Sequence, residues 1–190
     1  MPVFAPAATP SEAPIRFQDQ DSPAGRLRLA ARGDALCGLW FLDQSDLPAP
    51  QGWVADACAV LRQAADELAQ WFEGGRRDFS VPLRPEGSAF QLEVWRALTQ
   101  LAFGETVSYG ELARRIGRPK AVRALGGAVG RNPISIIIPC HRVVGHDTSL
   151  TGFGGGLPRK RLLLAHEGHR YNGPAARARR VNDGQIELPW

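Results

Sequence analysis

The chain has 190 residues and a formal net charge of +4, with 44% hydrophobic and 22% charged residues, a composition that suits one globular domain or two small ones. No apolar run approaches the ~18 residues that a membrane helix needs, and the opening MPVFAPAATPSEAP lacks the basic flank and compact apolar core of a secretory signal. Three cysteines, Cys37, Cys58 and Cys140, are odd in number and not spaced as a disulfide framework, so a reducing, cytoplasmic compartment is expected.

Residues 1–15 read as a disordered leader. Residues 16–44 alternate, with Leu27, Leu29 and Ala31 on one face and Gly33-Asp34 as a turn signal, which predicts a β-hairpin or meander. Residues 54–73 place Ala57, Val60, Leu61, Ala64, Leu68, Trp71 and Phe72 at helical spacing. GGRRDFSVPL then predicts a helix stop and a short strand, and residues 85–88 a linker. These elements make residues 16–85 an α/β domain.

From Ser88 the pattern becomes helical. Residues 88–101 offer Ser88 as N-cap and an apolar stripe at Phe90, Val94, Trp95, Leu98 and Leu101. Residues 108–117 predict a short helix capped by Ser108, with Glu111 at capping-box spacing. A Gly117-Arg118-Pro119 turn leads to a second helix over 120–132, a pair that fits a helix-turn-helix. A buried strand is expected over 134–138, a glycine-rich loop over 143–156, a last helix over 158–168 and a tail over 170–190. Residues 86–169 thus form a second, mainly α domain.

Charge divides the same way. Residues 1–85 carry 8 arginines against 11 carboxylates, net −3, and residues 86–190 carry 15 basic against 8 acidic groups, net +7. A basic half of this kind suits a polyanionic partner. The second helix of the pair has no array of side chains for reading base edges. Its centre is Gly126-Gly127-Ala128-Val129-Gly130, although each glycine costs a helix about 1 kcal/mol. Either close approach to a nucleic-acid groove or tight packing on a neighbouring helix would require that bare surface.

The chemistry converges on IPCHRV, where Cys140 is followed by His141 and Arg142. Thiolate is the reactive form of cysteine, and nearby cations lower a thiol's pKa. In extended chain, successive side chains point to opposite faces, so a water is expected to link His141 to the sulfur. Glu167, in HEGH (166–169), is the candidate for orienting the imidazole. HEGH lacks the histidine pair of a zinc protease, and no metal or cofactor is expected.

IPCHRV, the upstream RALGGAVGRNP and the downstream TGFGGGLPRKRLLLAHEG together resemble the O6-alkylguanine-DNA alkyltransferase family, over about residues 89–168. DSPAGRLRLA (21–30) resembles its opening strand pair. The resemblance implies a ribonuclease H-like N-terminal domain and a C-terminal domain with a winged helix-turn-helix. It implies a partner, double-stranded DNA containing O6-alkylguanine, and no membrane. It implies a reaction too: irreversible, single-turnover transfer of the alkyl group, from guanine O6 or less often thymine O4, to the protein's own cysteine.

The residue roles follow by matching. Cys140 matches the acceptor, His141 the water-linked base, Glu167 its holder and Asn132 the brace of the strand bearing the cysteine. Tyr109 matches the residue that pushes the 3′ phosphate and hydrogen-bonds the base. Arg123 matches the finger that fills the stack after base flipping through the minor groove. Ala124, Gly126, Gly127 and Arg131 fall on the DNA-facing helix, and Pro139, Val143, Phe153 and Gly154 on the substrate pocket. Phe153 stands where tyrosine is as common. A monomer is expected, with cooperativity on DNA left open. The alternative is a non-catalytic, alkyltransferase-like lesion binder; those proteins replace the cysteine, which is present here.

Overall fold

In the computed structural model, which describes residues 3–5 and 13–170, the alternating N-terminal segment is a β-meander. Strand β1 (Ile15–Gln20) pairs antiparallel with β2 (Leu27–Arg32), and β2 with β3 (Ala35–Phe41). Gly33 makes the β2–β3 reversal at φ +62°, a left-handed conformation that glycine adopts without steric cost. Leu27, Leu29 and Ala31 are buried as their alternation predicts. Strand β4 (Val54–Ala55) adds in parallel to β1, giving the order β3-β2-β1-β4.

The helix expected from residue 54 begins later, as α1 (Ala59–Phe72). Val54 and Ala55 instead pair with the open edge of β1, where their backbone groups find partners at once. Helix α1 buries Val60, Leu61, Ala64, Leu68 and Trp71. It also buries Glu67, whose carboxylate accepts hydrogen bonds from Ser80 N, Val81 N and Gln63 Nε2.

The strand expected after α1 is reduced to bridges at Leu83, with Leu36 and with Phe4. The second bridge ties down part of the expected leader. Leu83 N donates to Val3 O and Ala5 N to Leu83 O, while Arg96 lies 5.2 Å over the Phe4 ring. The expected tail lies outside the described residues after Arg170.

Helix α2 (Ala89–Thr99) starts with a full capping box between Ser88 and Gln91. Strand β5 (Val107–Ser108) leads into α3 (Tyr109–Arg115), and α4 (Val122–Gly130) follows across the turn. At α3 only half the expected box forms: Ser108 Oγ accepts from Glu111 N, while the Glu111 carboxylate turns to Arg114 and Arg115. Trp95 Nε1 donates to Ala128 O at 2.9 Å and fixes α2 on α4. Strand β6 (Val143–Val144) pairs in parallel with β5, and α5 (Leu157–His166) closes the described chain.

The buried strand expected over 134–138 does not form. Ile134 makes one bridge to Leu39 on the edge of β3, where Leu39 N donates to Pro133 O and Ser135 N to Leu39 O. The chain then turns tightly, with Ile137 N bonded to Ser135 O and Ile138 N to Ile134 O. Ile136 sits at φ +68°, a strained conformation for a β-branched residue. The isoleucines are buried because one apolar core runs from the sheet and α1 through α2, α3 and α4, and this turn lies inside it.

Candidate active site

The turn ends in a short 3₁₀ segment, Cys140–Arg142, so Cys140 is not at a strand end. Asn132 holds it. Asn132 Oδ1 accepts from Ile134 N at 3.0 Å, and Nδ2 faces Ile138 O at 2.7 Å and Cys140 Sγ at 3.1 Å. One amide thus fixes both the turn and the sulfur. Burial pushes the thiol pKa up, while the Asn132 hydrogen bond and the charge of Lys160 pull it down. The expected acidic thiol is therefore not found in the resting protein: Arg142, one of the two cations expected beside it, is turned elsewhere.

That arginine holds Glu167. Arg142 Nε and Nη2 reach the Glu167 carboxylate at 2.7–3.0 Å, and Nη1 donates to Leu101 O at 2.7 Å. Glu167 Oε1 also meets His141 Nε2 at 3.0 Å, and Oε2 accepts from Gly104 N at 3.1 Å. Burial raises the Glu167 pKa, but His141 and Arg142 outweigh it and hold it at about 2. His141 is fully buried, and burial pushes its pKa down against the pull of Glu167. With Nε2 on a carboxylate, the imidazole is fixed in one orientation. Its Nδ1 is buried and has no hydrogen-bond partner among the described residues.

Lys160 on α5 is the second cation of the site. It is fully buried, and Nζ donates to Val143 O and Thr151 O, both at 2.6 Å. Burial lowers its pKa to about 8. Thr151 in turn donates from Oγ1 to the Tyr109 hydroxyl at 3.2 Å, and burial raises the pKa of that phenol. A narrow cavity at Cys140 is lined by Asn132, Ser135, Phe153 and Gly154 together with Gln44 and Asp46 of the N-terminal half. Val143 and Pro139 are buried beside the cysteine rather than on the lining of this cavity.

Arg123 and Ala124 are exposed on α4, and Arg131 just beyond it. With Lys120, Phe90 and Gly127 they line a groove of about 780 Å³. The glycines serve different ends. A side chain at Gly126 would lie 3.8 Å from the Tyr109 ring, one at Gly127 would press on the Arg131 guanidinium at 3.1 Å, and one at Gly130 would meet open space. Arg131 Nη1 donates back to Gly127 O.

Comparison with known proteins fits both halves of this arrangement. Residues 15–85 match the model of the 6-O-methylguanine DNA methyltransferase ribonuclease-like domain, and residues 89–169 that of the DNA-binding domain of the same name. The methylated-DNA–protein-cysteine methyltransferase of Haemophilus influenzae is 49% identical over 77% of this chain and 82% of its own. The chain belongs to this family. The Mycolicibacterium paratuberculosis methyltransferase is 46% identical over 85% of this chain and 96% of its own. A crystal structure of Mycobacterium tuberculosis OGT in complex with DNA is 46% identical, with a TM-score of 0.76 over 80% of this chain and 93% of that one.

For a member of the 6-O-methylguanine DNA methyltransferase family, the sequence reading missed Lys160, Gln44 and Asp46. Lys160 carried a usable signal. Lys160, Leu163, Leu164 and Glu167 recur at i, i+3, i+4 and i+7, the inward stripe of a helix, and a lysine in such a stripe asks for a buried partner. Gln44 and Asp46 carried none, because their place beside Cys140 depends on how the two halves dock.

Proposed function

We propose that the protein repairs DNA directly, taking the alkyl group from O6 of guanine, and less readily from O4 of thymine, onto Cys140 Sγ once per molecule. The observation that carries this reading is the Cys140 thiol, braced by Asn132 at the end of a narrow cavity beside the His141–Glu167 pair. Because burial keeps the resting thiol protonated, its proton leaves as reaction begins. His141 Nδ1 takes it through a bridging water, and Glu167 stabilises the imidazolium that results. The sulfur then attacks the alkyl carbon, the carbon–oxygen bond breaks and its electrons return to the base. Lys160 supplies a buried positive charge that favours thiolate. The thioether has no leaving path, so the cysteine is not regenerated.

The lesion oxygen lies inside the base stack, so the nucleotide must be flipped out. The exposed Arg123 on α4 is the residue that takes its place, and Tyr109, whose hydroxyl reaches the pocket loop, meets the flipped base and the 3′ phosphate. In this reading residues 16–85 are the supporting domain, residues 86–169 bind DNA and carry the chemistry, and the protein acts as a monomer. Three free cysteines suit the reducing compartment of the cytoplasm. A non-catalytic lesion binder would lack the acceptor thiol, and a Cys–His hydrolase would turn over. Intact mass after incubation with a duplex containing O6-methylguanine tests this directly. One added methyl on Cys140, with product stopping at one per protein, is the expected result; sustained turnover or an unmodified Cys140 would refute it.

A further inference from the structure

We propose that Arg159 is a positioning residue that limits how far the pocket above Cys140 opens, and so sets the size of alkyl group the protein accepts; this rests on the reading of Cys140 as the alkyl acceptor. The cavity at Cys140 holds only about 10 Å³, room for about one water. A substituted purine enters only if the walls move apart. Gln44 and Asp46, from the segment after β3, form one part of the wall, and Gly152, Phe153 and Gly154, from the loop before α5, form another.

Arg159 grips the residue next to each wall. Its Nη2 bonds Asp43 Oδ2 at 2.7 Å, one residue before Gln44, and its Nη1 donates to Gly155 O at 3.1 Å, one residue after Gly154. Its Nε donates to Ala24 O at 2.8 Å, and its guanidinium lies 4.6 Å over the Phe41 ring. A planar guanidinium can hold these directions at once, which an ammonium cannot. Ring contacts follow the same line: Phe41 meets Phe153 edge-on at 6.2 Å, and a side chain at Gly155 would come within 2.6 Å of Phe41. Separating the walls therefore stretches the contacts of one side chain. A bulky alkyl group needs more separation than a methyl group, so the grip of Arg159 penalises it more.

The test compares two duplexes of one sequence, carrying O6-methylguanine or O6-benzylguanine at the same position. Single-turnover rate constants are measured for the wild type, Asp43→Ala, Arg159→Met and Arg159→Lys, and the readout is the benzyl-to-methyl ratio. A purely structural loss would lower both rates together and leave that ratio alone. We expect the ratio to rise roughly threefold or more in Asp43→Ala and Arg159→Met, the scale of one exposed ion pair, with Arg159→Lys in between. Should Arg159→Met fail to fold, Asp43→Ala decides, since its side chain is 65% exposed. An unchanged or lowered ratio in Asp43→Ala overturns the proposal. No alkyl gain on wild-type Cys140 with either duplex refutes the acceptor reading itself, and the clamp with it.

Discussion

At the residue scale, Glu167 is the hub of the site. It neutralises Arg142, orients His141 and closes on Gly104 N, so the acid holds both the imidazole proposed as the base and a buried ion pair. Two outcomes follow. In transfer assays, His141→Ala should slow alkylation of Cys140 strongly and move the pH midpoint of the rate upward, because the proposed reaction passes the thiol proton to this imidazole. A midpoint that stays put would remove His141 from the proton path. Glu167→Gln should show in acid unfolding. The folded pKa of about 2 lies below the ordinary 4.5, so this carboxylate's contribution, roughly 3 kcal/mol, is complete above about pH 4.5 and is lost as pH falls toward 2. His141, held neutral by burial, acts in the same sense, since unfolding lets it bind a proton. Urea midpoints from pH 5 to 2.5 should therefore fall steeply for wild type and less steeply for Glu167→Gln. Equal slopes would show that Glu167 titrates normally.

At the element scale, the proposed DNA face is α4. Its polar groups are few, its centre is glycine and alanine, and Arg123 stands free of ion pairs among the described residues. Arg123→Ala should impair reaction with a lesion in duplex DNA while sparing free O6-benzylguanine, which needs no flipping. Equal losses on the two substrates would contradict the finger role. The helices were legible because apolar stripes and serine caps act within a few residues: Ser88 and Ser108 cap α2 and α3 as read. The segment after Asn132 was not legible as a turn. Continuous isoleucine looks alike in a buried strand and in a turn packed inside a core, and Ile136 at positive φ is held by contacts from distant residues.

At the scale of the whole molecule, the cysteine turn is docked on the edge of β3 through Leu39, and the cavity at Cys140 is shared between the two halves. Alkylation enlarges a buried sulfur and removes its ability to become a thiolate beside Lys160. Overpacking of this kind costs about 1–3 kcal/mol. The alkylated protein should thus melt lower than the unmodified one in a thermal unfolding scan, and an unchanged or raised melting temperature would argue against so tight a site.

The sequence by itself determined the family resemblance, the meander, the helix pair and the set Cys140, His141 and Glu167, because local pattern and motif spacing specify these within short stretches, while Asn132 came only from the resemblance. The partner of each group was decided only in three dimensions. Arg142 turns to Glu167 rather than to the thiol, Lys160 reaches two carbonyls, and Arg159 reaches Asp43 across 116 positions of chain while also holding Gly155 O. Pairings of that kind depend on how the sheet, the cysteine turn and α5 dock around one core, and packing of distant surfaces leaves no periodicity in the chain to read.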